Sequence, residues 1–143
     1  MPSVERVVTV ARPLEKVWDY LTDFTTTEEW DPPTVTTVRT SGDGGVGTTY
    51  RNISTFLGHD TEVEYQVVAC VPHQLFELTG WATGVDLRDT IRFEEADGET
   101  TVSYRSTITP HGVGKLAAPV VKGGLELLGT RVAAKLEERL LLL

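Results

Sequence analysis

Asp89 is the residue that demands most of its surroundings. In the stretch Asp86 to Glu94, Leu87, Ile91 and Phe93 share its parity, while Arg88, Thr90, Arg92 and Glu94 take the other. A strand sends alternate side chains to opposite faces, so the Asp89 carboxyl is predicted to point inward among apolar neighbours. A carboxyl placed there pairs with an inward Tyr or Arg, reaches solvent at a strand end, holds a ligand hydroxyl, or acts as a base once burial has raised its pKa. It is the one candidate catalytic residue. The same parity gathers Tyr50, Asn52, Ser54 and Phe56 on the inner face, then Val63, Tyr65, Val67, Ala69 and Val71, then Val102, Tyr104, Ser106 and Ile108. Phe76 and Trp81 add further strand aromatics. Each buried polar group costs about 1–3 kcal/mol unless it is hydrogen-bonded, whereas ligand pockets are apolar with a few placed polar groups. The inner face therefore predicts a pocket. Tyr50, Asn52, Phe56, Tyr65, Phe76, Trp81, Leu87, Asp89, Tyr104 and Ser106 are its expected ligand-facing residues.

Other chemistries lack their residues. His59 and His73 fall in hairpin turns, and His111 lies in TPHGVG after the last strand. No two histidines have metal-ligand spacing, and there is no Cys-x-x-Cys, so neither a metal nor another cofactor is expected. A nucleophile elbow and a P-loop are absent, and the run GDGGVG at Gly42 to Gly47 does not lead from a strand into a helix. Cys70 reads as a small hydrophobe at a strand end. Glu15, Asp19, Asp23, Glu28, Glu29 and Asp31 read as the solvated face of two helices.

The elements that position these residues follow from composition. Val, Ile and Thr supply 38 of the first 113 residues and 4 of the last 30, while Leu and Ala supply 10 and then 13. β-Branched residues suit a pleated surface, and Leu and Ala lose little entropy in a helix. A β-rich body followed by one long helix is expected. Ser3 to Val10 reads as the first strand. Pro13 opens a short helix with Leu14, Val17, Trp18 and Leu21 along one stripe. Thr25 to Trp30 reads as a second short helix, stopped by Asp31-Pro32-Pro33. Six strands follow, at Val35 to Thr40, Thr48 to Phe56, Thr61 to Val71, Gln74 to Ala82, Asp86 to Glu94 and Glu99 to Thr109, joined by hairpin turns. Pro119 and Gly123-Gly124 fall inside the final helix and predict a bend or break there.

The 143 residues suit one domain, 1–143, with 40% hydrophobic residues and a formal charge of −8. That acidity excludes general nucleic-acid binding, which needs clustered Lys and Arg. No apolar run is long enough to span a membrane. Glu5 and Arg6 occupy the place of a signal peptide's apolar core, and the single cysteine suits a reducing compartment, so a cytoplasmic protein is expected. The charge divides unevenly, with 8 bases against 18 acids in residues 1–112 and 5 against 3 in 113–143. The run Leu140 to Leu143 either ends the helix or offers a contact for a homodimer.

The strings PLEKVWDYLTDF and EEWDP, then VGTTYR, FLGHDTEVEYQV, DGETTVSY and a Leu-Ala-Ala-Pro near the last helix, resemble the START-like helix-grip (SRPBCC) superfamily. The resemblance is specifically to polyketide cyclase/dehydrase-type and related lipid-binding proteins, and it spans essentially the whole chain. It implies an α+β fold in which a curved seven-stranded antiparallel sheet wraps a long C-terminal helix around an internal hydrophobic cavity. Two short helices follow the first strand in that fold. The resemblance also places Trp30 beside the cavity and His111 at one end of it, completing the expected ligand-binding set. Three functions are then open. The first is binding of a hydrophobic or aromatic small molecule, lipid-like or polyketide-like. The second is cyclase/aromatase-type catalysis, and the third is a partner-binding module acting through its surface.

Overall fold

The computed structural model describes residues 3–56, 58–111 and 118–143, apart from the side chains of 56 and 118–125. Strand β1 (Ser3–Val10) leads into helix α1 (Leu14–Leu21). A 3-10 turn at Phe24–Thr26 runs directly into α2 (Thr27–Trp30). Strands β2 (Thr34–Ser41), β3 (Thr49–Phe56), β4 (His59–Val71), β5 (Leu75–Ala82), β6 (Val85–Ala96) and β7 (Glu99–Pro110) precede α3 (Ala118–Leu140). The sheet order is β1-β7-β6-β5-β4-β3-β2, with every neighbouring pair antiparallel. Among the described residues, only the β1–β7 pairing joins strands distant in sequence; the others pair consecutive strands.

Helix α1 closes one end of the concave face with its predicted stripe. Val17 and Leu21 are fully buried, and the Trp18 ring meets Phe93 and Phe76 edge-on, with centroids 5.0 and 6.4 Å away. Helix α3 lies against β1 and α2 and sends Val132, Leu136 and Leu140 into the core. The approach to β1 is close because residue 129 is glycine: a Cβ there would stand 2.7 Å from a Val4 methyl. Arg6 reinforces the contact by donating to the Glu126 carbonyl at 3.0 Å. At the far end Arg12 donates to the carbonyls of Leu141 and Leu143 at 2.6 and 3.1 Å, supplying donors that the end of a helix lacks. The terminal leucines thus divide. Leu140 is buried and Leu143 packs against the core, while Leu141 and Leu142 face outward.

Two expectations are corrected. Helix α3 runs unbroken from Ala118 to Leu140, through Gly123-Gly124. Pro119 sits in its first turn, where a missing N–H costs nothing, and packing of the later turns offsets the weak propensity of the glycine pair. On β4, the inward parity fails beyond Val67. The register against β5 shifts between Val67 and Ala69, so a bulge residue is inserted and the following side chains change face. Val71 is consequently exposed, and Cys70 packs against the core in its place.

Candidate functional site

Between the sheet, α2 and the middle of α3 lies a cavity of about 360 Å³. Leu87 and Asp89 reach it from β6, Tyr104, Ser106 and Ile108 from β7, and Val63 and Tyr65 from β4. Asn52 and Ser54 come from β3, Trp30 and Asp31 from the end of α2, and Leu128, Gly129 and Val132 from α3. Thr83, Gly84 and Pro110 also line it. A glycine again sets the geometry. A Cβ on Gly80 would lie 2.8 Å from the Tyr65 ring, so its absence lets that ring lie against β5, opposite its pairing partner.

The polar groups on this wall are of two kinds. The first are saturated by one another. Asn52 Nδ2 donates to Thr37 Oγ1 at 2.8 Å and to Thr34 Oγ1 at 3.2 Å, and Asn52 Oδ1 accepts from Ser54 at 2.6 Å. Thr37 continues to Thr27 at 2.7 Å, and Thr34 donates to Asp31 Oδ2 at 2.6 Å. The chain of bonds runs from β3 across β2 to α2 and fixes that short helix on the sheet. Its amide and hydroxyl members have little capacity left for a ligand.

Asp89 is the second kind. It is 3% exposed, cross-strand from Ser106 on β7 and Leu78 on β5, and its Oδ1 has no hydrogen-bond partner. Burial pushes the carboxyl up to about 7; the Ser106 hydroxyl counters this, the charge of Asp31 adds to it, and the Tyr104 hydroxyl opposes it. Asp31 is likewise raised, to about 6, by burial against the opposing hydrogen bond from Thr34. The phenols of Tyr65 and Tyr104 are held well above their ordinary value, first by burial and then by the charges of Asp89 and Asp31. Both therefore stay protonated donors at any physiological pH. Trp30 meets the Tyr104 ring edge-on, with centroids 5.6 Å apart. Two carboxyls of raised pKa, two obligate phenol donors and an indole thus share one apolar chamber. It can accept from or donate to a ligand oxygen or nitrogen, and it can transfer a proton.

Of the residues expected from sequence, Trp30, Asn52, Tyr65, Leu87, Asp89, Tyr104 and Ser106 come together here. Tyr50 and Phe76 do not line the cavity. Tyr50 packs on Phe24 with centroids 5.7 Å apart, and Phe76 is sealed under Trp18. Trp81 is a correction: Phe76, Leu78 and Gly80 hold the inner parity of β5, so Trp81 stands on the outer face, 47% exposed. His111 is another. It is exposed, and its Nε2 lies 2.9 Å from Asp86 Oδ2 on the surface. The Phe56 side chain lies outside the described residues. Asp31 is the residue that sequence reasoning misplaced. The stop Asp-Pro-Pro ends α2, with an extended ψ of 99° at Asp31. A wider groove of about 510 Å³ lies outside, between α2 and α3. Glu28, Glu29, Asp31, Arg131, Lys135 and Glu138 give it charges of both signs, so that the half-buried Asp31 borders both spaces.

Among the described residues, no three His, Cys, Asp or Glu side chains gather as a metal-ligand set, and no helix is long and apolar enough to cross a membrane. Residues 1–140 match the family model described as "polyketide cyclase / dehydrase and lipid transport". The chain belongs to that family. No curated protein matches it in sequence. Solved structures share the fold at low identity. The aromatase/cyclase Zhui from Streptomyces sp. R1128 is 18% identical with a TM-score of 0.77, over 97% of this chain and 90% of that one. A START superfamily protein from Mycobacterium smegmatis is 13% identical with a TM-score of 0.77, over 98% and 97%. Ara h 8.0201 is 17% identical with a TM-score of 0.68, over 99% and 98%. Seven antiparallel strands and a C-terminal helix in this family are the helix-grip fold.

Proposed function

We propose that the protein binds a hydrophobic or aromatic small molecule, lipid-like or polyketide-like, in the 360 Å³ chamber. The observation carrying this reading is Asp89 Oδ1, buried on the chamber wall without a partner. A buried acceptor left unpaired costs about 1–3 kcal/mol, which a ligand donor entering the chamber would recover. Family membership supports the same reading. Free, partly buried Cys70 is in keeping with a cytoplasmic setting.

Calorimetric titration with tryptophol, a neutral indole alcohol, tests it. One-to-one binding is expected in the wild-type protein, with at least about a tenfold loss in Leu87→Trp, which fills the chamber. Trp81→Ala, on the outer face, should bind as wild type does. Unchanged affinity in a folded Leu87→Trp protein would place any binding elsewhere and refute the reading.

The raised carboxyls favour a second reading, cyclase-type catalysis. Above about pH 7 the Asp89 carboxylate can remove a proton from carbon between two ketones. The resulting enolate adds to a second carbonyl, whose oxygen takes a proton from Tyr104 or Tyr65 as Asp89 returns its proton to that phenol; the carboxylate then removes a second α-proton and passes it to the departing hydroxyl, which leaves as water. A synthetic linear tri-ketone turned over by wild type and untouched by Asp89→Asn would support it.

A further inference from the structure

We infer that the ligand is a cation, an aromatic or alkyl primary amine whose ammonium group sits between Asp89 and Asp31 with its apolar part against Trp30, Tyr65 and Tyr104. The inference rests on the pocket-binding reading and names the ligand's charge and class.

The polar make-up of the chamber is one-sided. Its two ionisable carboxyls are Asp31 and Asp89, and among the described residues no Lys, Arg or His lines it. A carboxylate taken out of water normally keeps a cation or several donors beside it. Asp31 has the Thr34 hydroxyl. Asp89 has the Ser106 and Tyr104 hydroxyls near it, yet at 3% exposure its Oδ1 accepts no hydrogen bond. A neutral or anionic ligand would leave both carboxyls to bear each other's field, whereas an ammonium relieves both together. Its three N–H donors exceed what one carboxylate oxygen needs. Asp89 and Asp31 can each take one, as both line the same chamber.

The apolar walls are also suited to a cation. Trp30, Tyr65 and Tyr104 are aromatic, and ring faces attract an ammonium by their quadrupole, best in Trp. Asn52, by contrast, is no competitor for the charge, since its amide is spent on Thr34, Thr37 and Ser54. At longer range the 8 bases and 18 acids of residues 1–112 give the body a field that draws cations towards it.

Three probes of one shape test this at pH 8: tryptamine, a cation there; tryptophol, its neutral counterpart; and indole-3-propionate, an anion. Tryptamine is expected to bind the wild-type protein roughly tenfold or more tighter than tryptophol, the range of a charge-assisted hydrogen bond. Indole-3-propionate is expected to bind weakest. In Asp89→Asn, the preference for tryptamine over tryptophol should fall to within about threefold. Asp31→Asn should narrow the preference by a smaller factor, which gives a second variant should the first fail to fold. Tryptophol binding as tightly as tryptamine to wild type would overturn the cationic ligand and leave the pocket reading standing. A preference for indole-3-propionate would do the same. Failure of all three probes to bind would overturn both.

Discussion

Asn52 and Asp89 stand on the same concave wall, both almost wholly buried, and they were solved in opposite ways. Asn52 spends its amide within the protein, tying β3 to β2 and through Thr27 to α2. Asp89 keeps an oxygen unpaired in the chamber. A buried polar network that is fully satisfied holds a structure in one arrangement, while an unsatisfied group stores a cost that a partner can later recover. The difference separates scaffold from site on a surface where polarity by itself does not.

The largest expected effect comes from removing the stored cost. The folded-state pKa of Asp89, about 7, lies above the value of about 3.8 for an unfolded chain. The ionised form is therefore disfavoured in the fold. Its penalty begins as pH rises through the unfolded value and is complete above the folded one. Asp89→Asn should then stabilise the protein at pH 8 by up to about 3–4 kcal/mol, and by nothing at pH 3. Urea unfolding at the two pH values measures this. A destabilised variant at pH 8 would mean that the Asp89 carboxylate has a partner in the folded protein.

The opposite sign is expected at the satisfied site. Asn52→Leu leaves the hydroxyls of Thr34, Thr37 and Ser54 short of partners, and should cost about 2–4 kcal/mol in denaturant unfolding at any pH. A loss below about 1 kcal/mol would show that water replaces the amide, and would weaken the distinction between the two positions. Gly80→Ala is expected to cost about 1–3 kcal/mol by pressing a methyl into the Tyr65 ring. It should also lower tryptophol affinity, because Tyr65 forms part of the wall. Smallest is Trp81→Ala, within about 0.5 kcal/mol in stability, the control for all aromatic substitutions on the inner face.

Much of this was legible in the chain. Period-two alternation placed Asp89, Tyr104 and Ser106 inward because β6 and β7 pair without interruption from Val85 opposite Pro110 to Ala96 opposite Glu99. The same rule misjudged Val71, where one inserted residue on β4 reversed the parity. Trp81 was expected inside on its aromatic character, although Phe76 and Leu78 already claimed that face. Asp31 stood in an acidic run with Glu28 and Glu29 and shared their reading. Yet Glu28 accepts from the Thr37 amide at 2.9 Å, Glu29 accepts from the Tyr20 hydroxyl at 2.6 Å, and Asp31 alone of the three lines the chamber.

The sequence by itself determined the elements, their order, the inward carboxyl of β6 and the family, because propensity, parity and turn chemistry act over a few neighbouring residues. Only the tertiary structure decided which inward polar groups were spent and which remained. Hydrogen bonds from Asn52 to Thr34 and Thr37, separated by 18 and 15 residues, exist only once β2 lies against β3. The meeting of Asp31 with Asp89 across the chamber likewise depends on α2 being held over the sheet. Satisfaction is a property of three-dimensional neighbours, and here it is what marks the site.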